Sequence, residues 1–176
     1  MESLAQFHPQ IVHGPIALII VAALFELVGR AVGLEWWRKA AFALLILGVL
    51  GAGLAVLSGD PAGKAAERQG VSEPPVDLHE SMAKLTLWLG IAAVMARAIA
   101  GRSGPARAAV AGLALILHLA AAVTVGITAH LGGELVYEHG AKVKVNGQPV
   151  VTPKPGHDLP PTPPPRPPAR AAASRR

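Results

Sequence analysis

The chain has 176 residues with a mean hydropathy of +0.44, no cysteine and a net charge of +5. One domain's length that is this apolar in spite of a polar, proline-rich tail points to the bilayer as solvent; the missing cysteines exclude disulfides, iron–sulfur clusters, thiolate zinc and the covalent c-type haem attachment. The charge does not indicate nucleic acid, because residues 1–140 carry 9 Lys/Arg against 10 Asp/Glu and the excess sits in residues 141–176, with 7 against 1; such an arm is a solvated segment touching anionic lipid or a partner.

Four apolar stretches are long enough to cross a hydrocarbon core of ~30 Å, for which about 20 helical residues suffice. The first runs from about Ile11 to Gly33, with Pro15 near its start where a missing amide is tolerated. It lacks the charged leader of a signal peptide and is expected to remain as a span. The second runs from Lys39 to Ser58, the third from Ser81 to Ala100 and the fourth from Arg107 to Leu131. Small residues such as Gly48, Gly51, Gly53, Gly112, Ala120 and Gly126 are expected to let the helices approach closely. Short connections make spans one and two, and spans three and four, antiparallel neighbours, and Trp36 and Trp37 fit an interfacial belt.

Between spans two and three, Asp60-Pro61 reads as an N-cap and first residue of a short surface helix ending near Gly70. Asp77 and Glu80 read as a capping box for span three. After span four, alternation about Asn146-Gly147 predicts a two-residue β-hairpin. The rest of the chain is a Pro/Arg-rich segment expected to be disordered. The organisation is thus an all-α membrane protein: a four-helix transmembrane domain over residues 1–140, a small extramembrane hairpin over 141–152 and a tail over 153–176. Arg30, Arg38, Lys39, Arg97, Arg102 and Arg107 flank one face, so the positive-inside rule sets both termini on the opposite, periplasmic side of a bacterial inner membrane.

The same topology brings His8, His13, His79, His130 and His139 to one face. Neutral imidazole ligates haem iron, copper or zinc and needs an acceptor to fix its tautomer, for which Glu80, Glu134 and Glu138 are candidates. His13 and His79 begin diagonal spans and could approach a planar haem from opposite sides, with His130 as third candidate. The plainer readings are interfacial placement for His8 and His139 and hydrogen bonds to loop backbone for His13 and His130. Deeper in the bundle, Glu26 and His118 lie at similar depth, roughly 20 Å from the histidine face. They could pair and carry protons or touch a quinone, or Glu26 could pair with Arg30.

The segments HPQIVHGPIAL, SGDPAGKAA, LHE and TAHLGGELVYEHG resemble a bacterial four-span inner-membrane family known as domain of unknown function 2231, over about residues 7–145. The resemblance implies recurring histidine places at His8, His13, His79, His130 and His139, and its members' occasional fusion to cytochrome-like modules hints at redox work. The family usually has an aromatic after the second histidine; Gly14 stands here, which removes a ring that could pack on a planar cofactor.

These features predict a membrane-embedded protein binding b-type haem, or copper or zinc, and acting as an electron-transfer subunit. His13, His79 and His130 are the cofactor ligands in that reading. The five clustered histidines are the metal-ligand pool, and a periplasmic redox protein or membrane complex is the partner. The alternative is a non-redox anchor or assembly module recruiting a partner through its tail; proton transport through Glu26 and His118 ranks last. No nucleophile elbow, phosphate loop or zinc-protease motif occurs, so catalysis of its own is not expected.

Overall fold

A computed structural model of the chain describes residues 5–101 and 105–151, so the proline-rich tail lies outside the described residues. A single turn, α1 (His8–Ile11), leads into α2 (His13–Val32), followed by α3 (Glu35–Arg68), α4 (Glu73–Ala100) and α5 (Arg107–Tyr137). All four long helices are apolar and long enough to cross a membrane, and the chain is an all-α protein of four spanning helices. The helices pack in cyclic order, α2 on α3, α3 on α4, α4 on α5 and α5 on α2, which leaves α2 and α4 diagonal as the connection lengths predict.

The interior is made of small side chains because backbones must come close where no hydrophobic effect drives association. Ile19, Ala52, Ala121 and Val125 form one core cluster and Ala22, Leu45 and Ala93 another. A Cβ on Gly48 would stand 2.7 Å from Ile19 Cγ1, and one on Gly90 2.7 Å from Val49 Cγ2. Gly51 faces Pro15, but Gly53, Gly112 and Gly126 have no atom within contact range of a Cβ. Contrary to expectation, then, α5 packs through Ala114 and Ala121 rather than through Gly112 and Gly126. Leu47, Leu50, Leu54, Leu57, Ile116 and Val123 point outward to lipid.

Two expectations for the middle loop are overturned. No separate surface helix follows span two: α3 continues to Arg68 with Pro61 inside it. Proline there forfeits a bond to the Leu57 carbonyl, but the extension is held by the Lys64–Asp60 pair at 2.9 Å and by burial of Ala62 and Ala66. Likewise α4 starts at Glu73, with prolines in its first turn after Ser72, so Asp77 lies within the helix and the capping box does not form. Glu80 instead pairs with Lys84 at 2.9 Å.

The hairpin forms as predicted. Lys144 pairs with Pro149 and Val145 with Gln148 across Asn146 (φ 52°) and Gly147 (φ 82°), the two left-handed residues of a type I′ turn. Ala141 and Val151 at its base pack on Ala66, Val71 and Val76, which seats the hairpin on the end of the bundle where α3 gives way to α4.

Candidate functional site

At the histidine end, the structure brings together His8 and His79. Their ring centres are 6.4 Å apart with planes at 86°. The turn α1 folds back over α3, and His8 Nδ1 lies 2.9 Å from Ser58 Oγ. The Ser58 hydroxyl donates its one proton to the Ala55 carbonyl at 3.0 Å; its oxygen is therefore the acceptor and His8 carries its proton on Nδ1. His79 Nδ1 lies 3.0 Å from the Thr128 carbonyl oxygen, which only accepts, so His79 has the same tautomer. The Ala55 carbonyl also bonds the His8 ring, and in this tautomer Nε2 is the unprotonated nitrogen of each ring. This is the state in which imidazole binds a metal, with the other nitrogen oriented by an outer acceptor.

Both rings are seated by glycine. A Cβ on Gly59 of α3 would come within 3.2 Å of His8 Cε1, and one on Gly132 of α5 within 3.1 Å of His79 Cε1. The orienting acceptors are Ser58 and the Thr128 carbonyl rather than Glu80, Glu134 or Glu138. Sequence reasoning passed over both; the only signal was a hydroxyl residue beside a glycine at the end of an apolar run, Ser58-Gly59. Thr128 sits in a ladder of hydroxyls, its Oγ1 donating to the Thr124 carbonyl at 2.8 Å and lying 3.4 Å from Thr86 Oγ1.

The other histidines stand apart from this pair. His13 is exposed on the outside of α2 and makes no hydrogen bond among the described residues. His130 is exposed and its Nε2 is 3.3 Å from Glu134 Oε1. His139 is half-buried just beyond α5, and Glu138 is exposed. Among the described residues no group of three or more His, Asp or Glu side chains converges tightly enough to hold a metal ion. Five histidines share a face, and two of them share a site.

The hairpin reaches this site. Lys142, left-handed at φ 61°, donates from Nζ to the carbonyl of buried Ala5, three residues before His8. Burial lowers the Lys142 pKa. The N-terminal segment that carries His8 is therefore tied on one side to α3 and on the other to the hairpin.

At the opposite end, Glu26 is 2% exposed and gathers the arginines. Arg30 Nε donates to its Oε1 at 2.8 Å, Arg97 Nη1 donates to the same oxygen, and Arg38 Nε stands 3.9 Å away. Arg97 also donates to the Arg38 carbonyl at 3.1 Å and Arg30 to the Ala111 carbonyl at 3.3 Å. The carboxylate thus ties α2 to α3 and α4, and Arg30 carries the link on to α5 through the Ala111 carbonyl. Glu26 does pair with Arg30, as the helical spacing allows, but the i,i+4 rule could not reveal Arg97, 71 residues away. His118 is 4% exposed, its ring bonds the Ile19 backbone, and its Nε2 is buried without a partner. It lines, with Glu26, Arg97, Phe42 and Leu45, a cavity of about 10 Å³, the size of one water. Near this end Phe25 meets Trp37 edge-on with ring centres 4.6 Å apart, and Trp36 lies tilted against Trp37 at 4.5 Å.

Comparison with known families matches residues 5–145 to the model of a predicted membrane protein family, DUF2231, and the chain belongs to that family. No curated protein and no solved structure matches it.

Proposed function

We propose that this member of the DUF2231 family is a membrane-embedded metal- or haem-binding protein that passes electrons at one face of the bilayer, with His8 and His79 as its ligands. The observation that carries this reading is the pair itself: two imidazoles from different segments, with ring centres 6.4 Å apart and each Nδ1 held by an oxygen. Two such rings side by side, each against a glycine, are what a bound metal centre requires of its ligands and their supports. With nitrogen-to-metal bonds of ~2.0–2.1 Å, two rings on one ion stand no more than about 6.5 Å apart centre to centre, and the 6.4 Å separation meets that limit.

Bound there, copper or haem iron supplies a one-electron couple. The chain's own residues hold the two rings in place and keep the N-terminal segment tied over the site through Lys142. Arg30, Arg38, Lys39, Arg97 and Arg107 at the far end support a cytoplasmic placement for that end, hence periplasmic termini in a bacterial inner membrane and a periplasmic redox partner.

The test is a reduced-minus-oxidised visible spectrum together with metal analysis on detergent-purified protein, repeated for His8→Ala, His79→Ala, His13→Ala and His130→Ala. Loss in the first two with retention in the last two is expected. A cofactor that survives removal of His8 and His79, or purified protein with neither haem nor metal after reconstitution, rules the reading out.

A further inference from the structure

Resting on that pair of ligands, the geometry points to a specific occupant: we propose that His8 and His79 form a two-coordinate site for monovalent copper. Among the described residues the pair has no third His, Asp or Glu that converges on it, and the chain has no cysteine. Zinc takes four ligands in a tetrahedron and divalent copper a tetragonal set, so a pair of imidazoles alone satisfies neither. Monovalent copper, a closed-shell ion without a geometric demand from its d electrons, is content with two nitrogens in line.

The ring geometry agrees. Two imidazoles bound in line to one ion by bonds of ~2.0 Å have ring centres about 6.3 Å apart, against 6.4 Å here, whereas a tetrahedral angle would draw them closer. The ring planes cross at 86°, an angle that two imidazoles on one ion can adopt.

Local charge points the same way. The groups that bear on the two rings from neighbouring elements are the Lys142 ammonium near His8 and the Glu80 carboxylate near His79, the latter already paired with Lys84. With one cation unopposed and no carboxylate in the site, a single positive charge is far easier to accommodate than two.

A haem would need a plate-sized opening between the rings. Here the segment bearing His8 is pinned to Ser58 on α3 and, through the Ala5 carbonyl, to Lys142 on the hairpin. A bare ion enters without breaking either tie. Two-nitrogen ligation favours the reduced ion over the oxidised one, so the couple lies on the oxidising side and the site holds copper in its reduced form.

The decisive experiment is an anaerobic titration of the full-length protein in detergent with cuprous ion against a chromogenic competitor, run in parallel with zinc and with haem, followed by X-ray absorption of the loaded protein. The expected result is one cuprous ion per chain on two nitrogen neighbours. Binding should weaken at least a hundredfold in His8→Ala and in His79→Ala and stay unchanged in His13→Ala. Circular dichroism of each variant confirms that the bundle is intact, and Ser58→Ala, which removes only the acceptor for His8 Nδ1, should weaken binding about tenfold without removing a ligand. Haem binding that depends on the same two histidines overturns the copper assignment and leaves the proposed function standing. Zinc bound more tightly than cuprous ion, or three or more nitrogen or oxygen neighbours, overturns the two-coordinate site; no binding of any of the three overturns both.

Discussion

Replacing Glu26 with alanine should be among the most damaging single changes available in this bundle. The carboxylate is buried, bonded by Arg30 and Arg97 and approached by Arg38, and its loss leaves three guanidinium groups crowded together without a counter-charge. Breaking a buried pair by removing one partner costs about 3–5 kcal/mol, a shift of roughly a hundredfold or more in the folded-to-unfolded ratio at 1.4 kcal/mol per decade. The partners should not contribute equally. Arg97 has 18% of its side chain exposed and reaches across the bundle, whereas Arg30 is 31% exposed and on the same helix. A double-mutant cycle should therefore give about 1–2 kcal/mol of coupling for Glu26 with Arg97 and less than ~1 kcal/mol for Glu26 with Arg30. The assay is reversible denaturation in mixed detergent micelles, followed by tryptophan fluorescence and circular dichroism. If Glu26→Ala costs under ~1 kcal/mol, or the two couplings are reversed in size, the carboxylate does not tie the helices together as described.

Gly48→Ala should destabilise the bundle by about 1–3 kcal/mol, because its Cβ meets Ile19 at 2.7 Å, while Gly53→Ala, facing open space, should be neutral or slightly stabilising; equal effects in the same denaturation assay would contradict the packing. Gly59→Ala and Gly132→Ala should leave the fold intact yet weaken metal binding, since each new methyl presses on the Cε1 of a ligand ring, and unchanged affinity would separate those rings from the site. A single ordered water is expected in the cavity between His118 and Glu26, donating to Nε2 of the one and the carboxylate of the other; water-edited solid-state NMR of proteoliposomes should show transfer from water to the His118 ring, and a dry ring would exclude it. Lys142 has a lowered pKa when folded, so between its folded and unfolded values the unfolded chain binds more protons. Its contribution to stability should therefore rise with pH through that window, toward the unfolded pKa of about 10.4. Lys142→Met should flatten this alkaline limb in a pH series of melting curves.

What composition alone determined is the bundle. Twenty-residue apolar runs have no other way to satisfy their backbone in lipid than as helices, and Asn146-Gly147 has few alternatives to a type I′ turn, so spans, their antiparallel order and the hairpin are all readable from local chemistry. The co-location of five histidines at one face also follows, because an even number of spans returns the chain to the side it started from. Which of them meet does not follow, since it depends on the rotation of each helix about its axis and on a single turn, α1, folding back over α3. That rotation turns His13 outward, while the fold-back lays His8 against Ser58 and Gly59, two residues that look unremarkable in a linear reading. Long-range ties such as Arg97 to Glu26 are invisible for the same reason: a helical repeat predicts neighbours three or four residues away, and only the packed bundle decides which side chains of different helices share a depth and face one another.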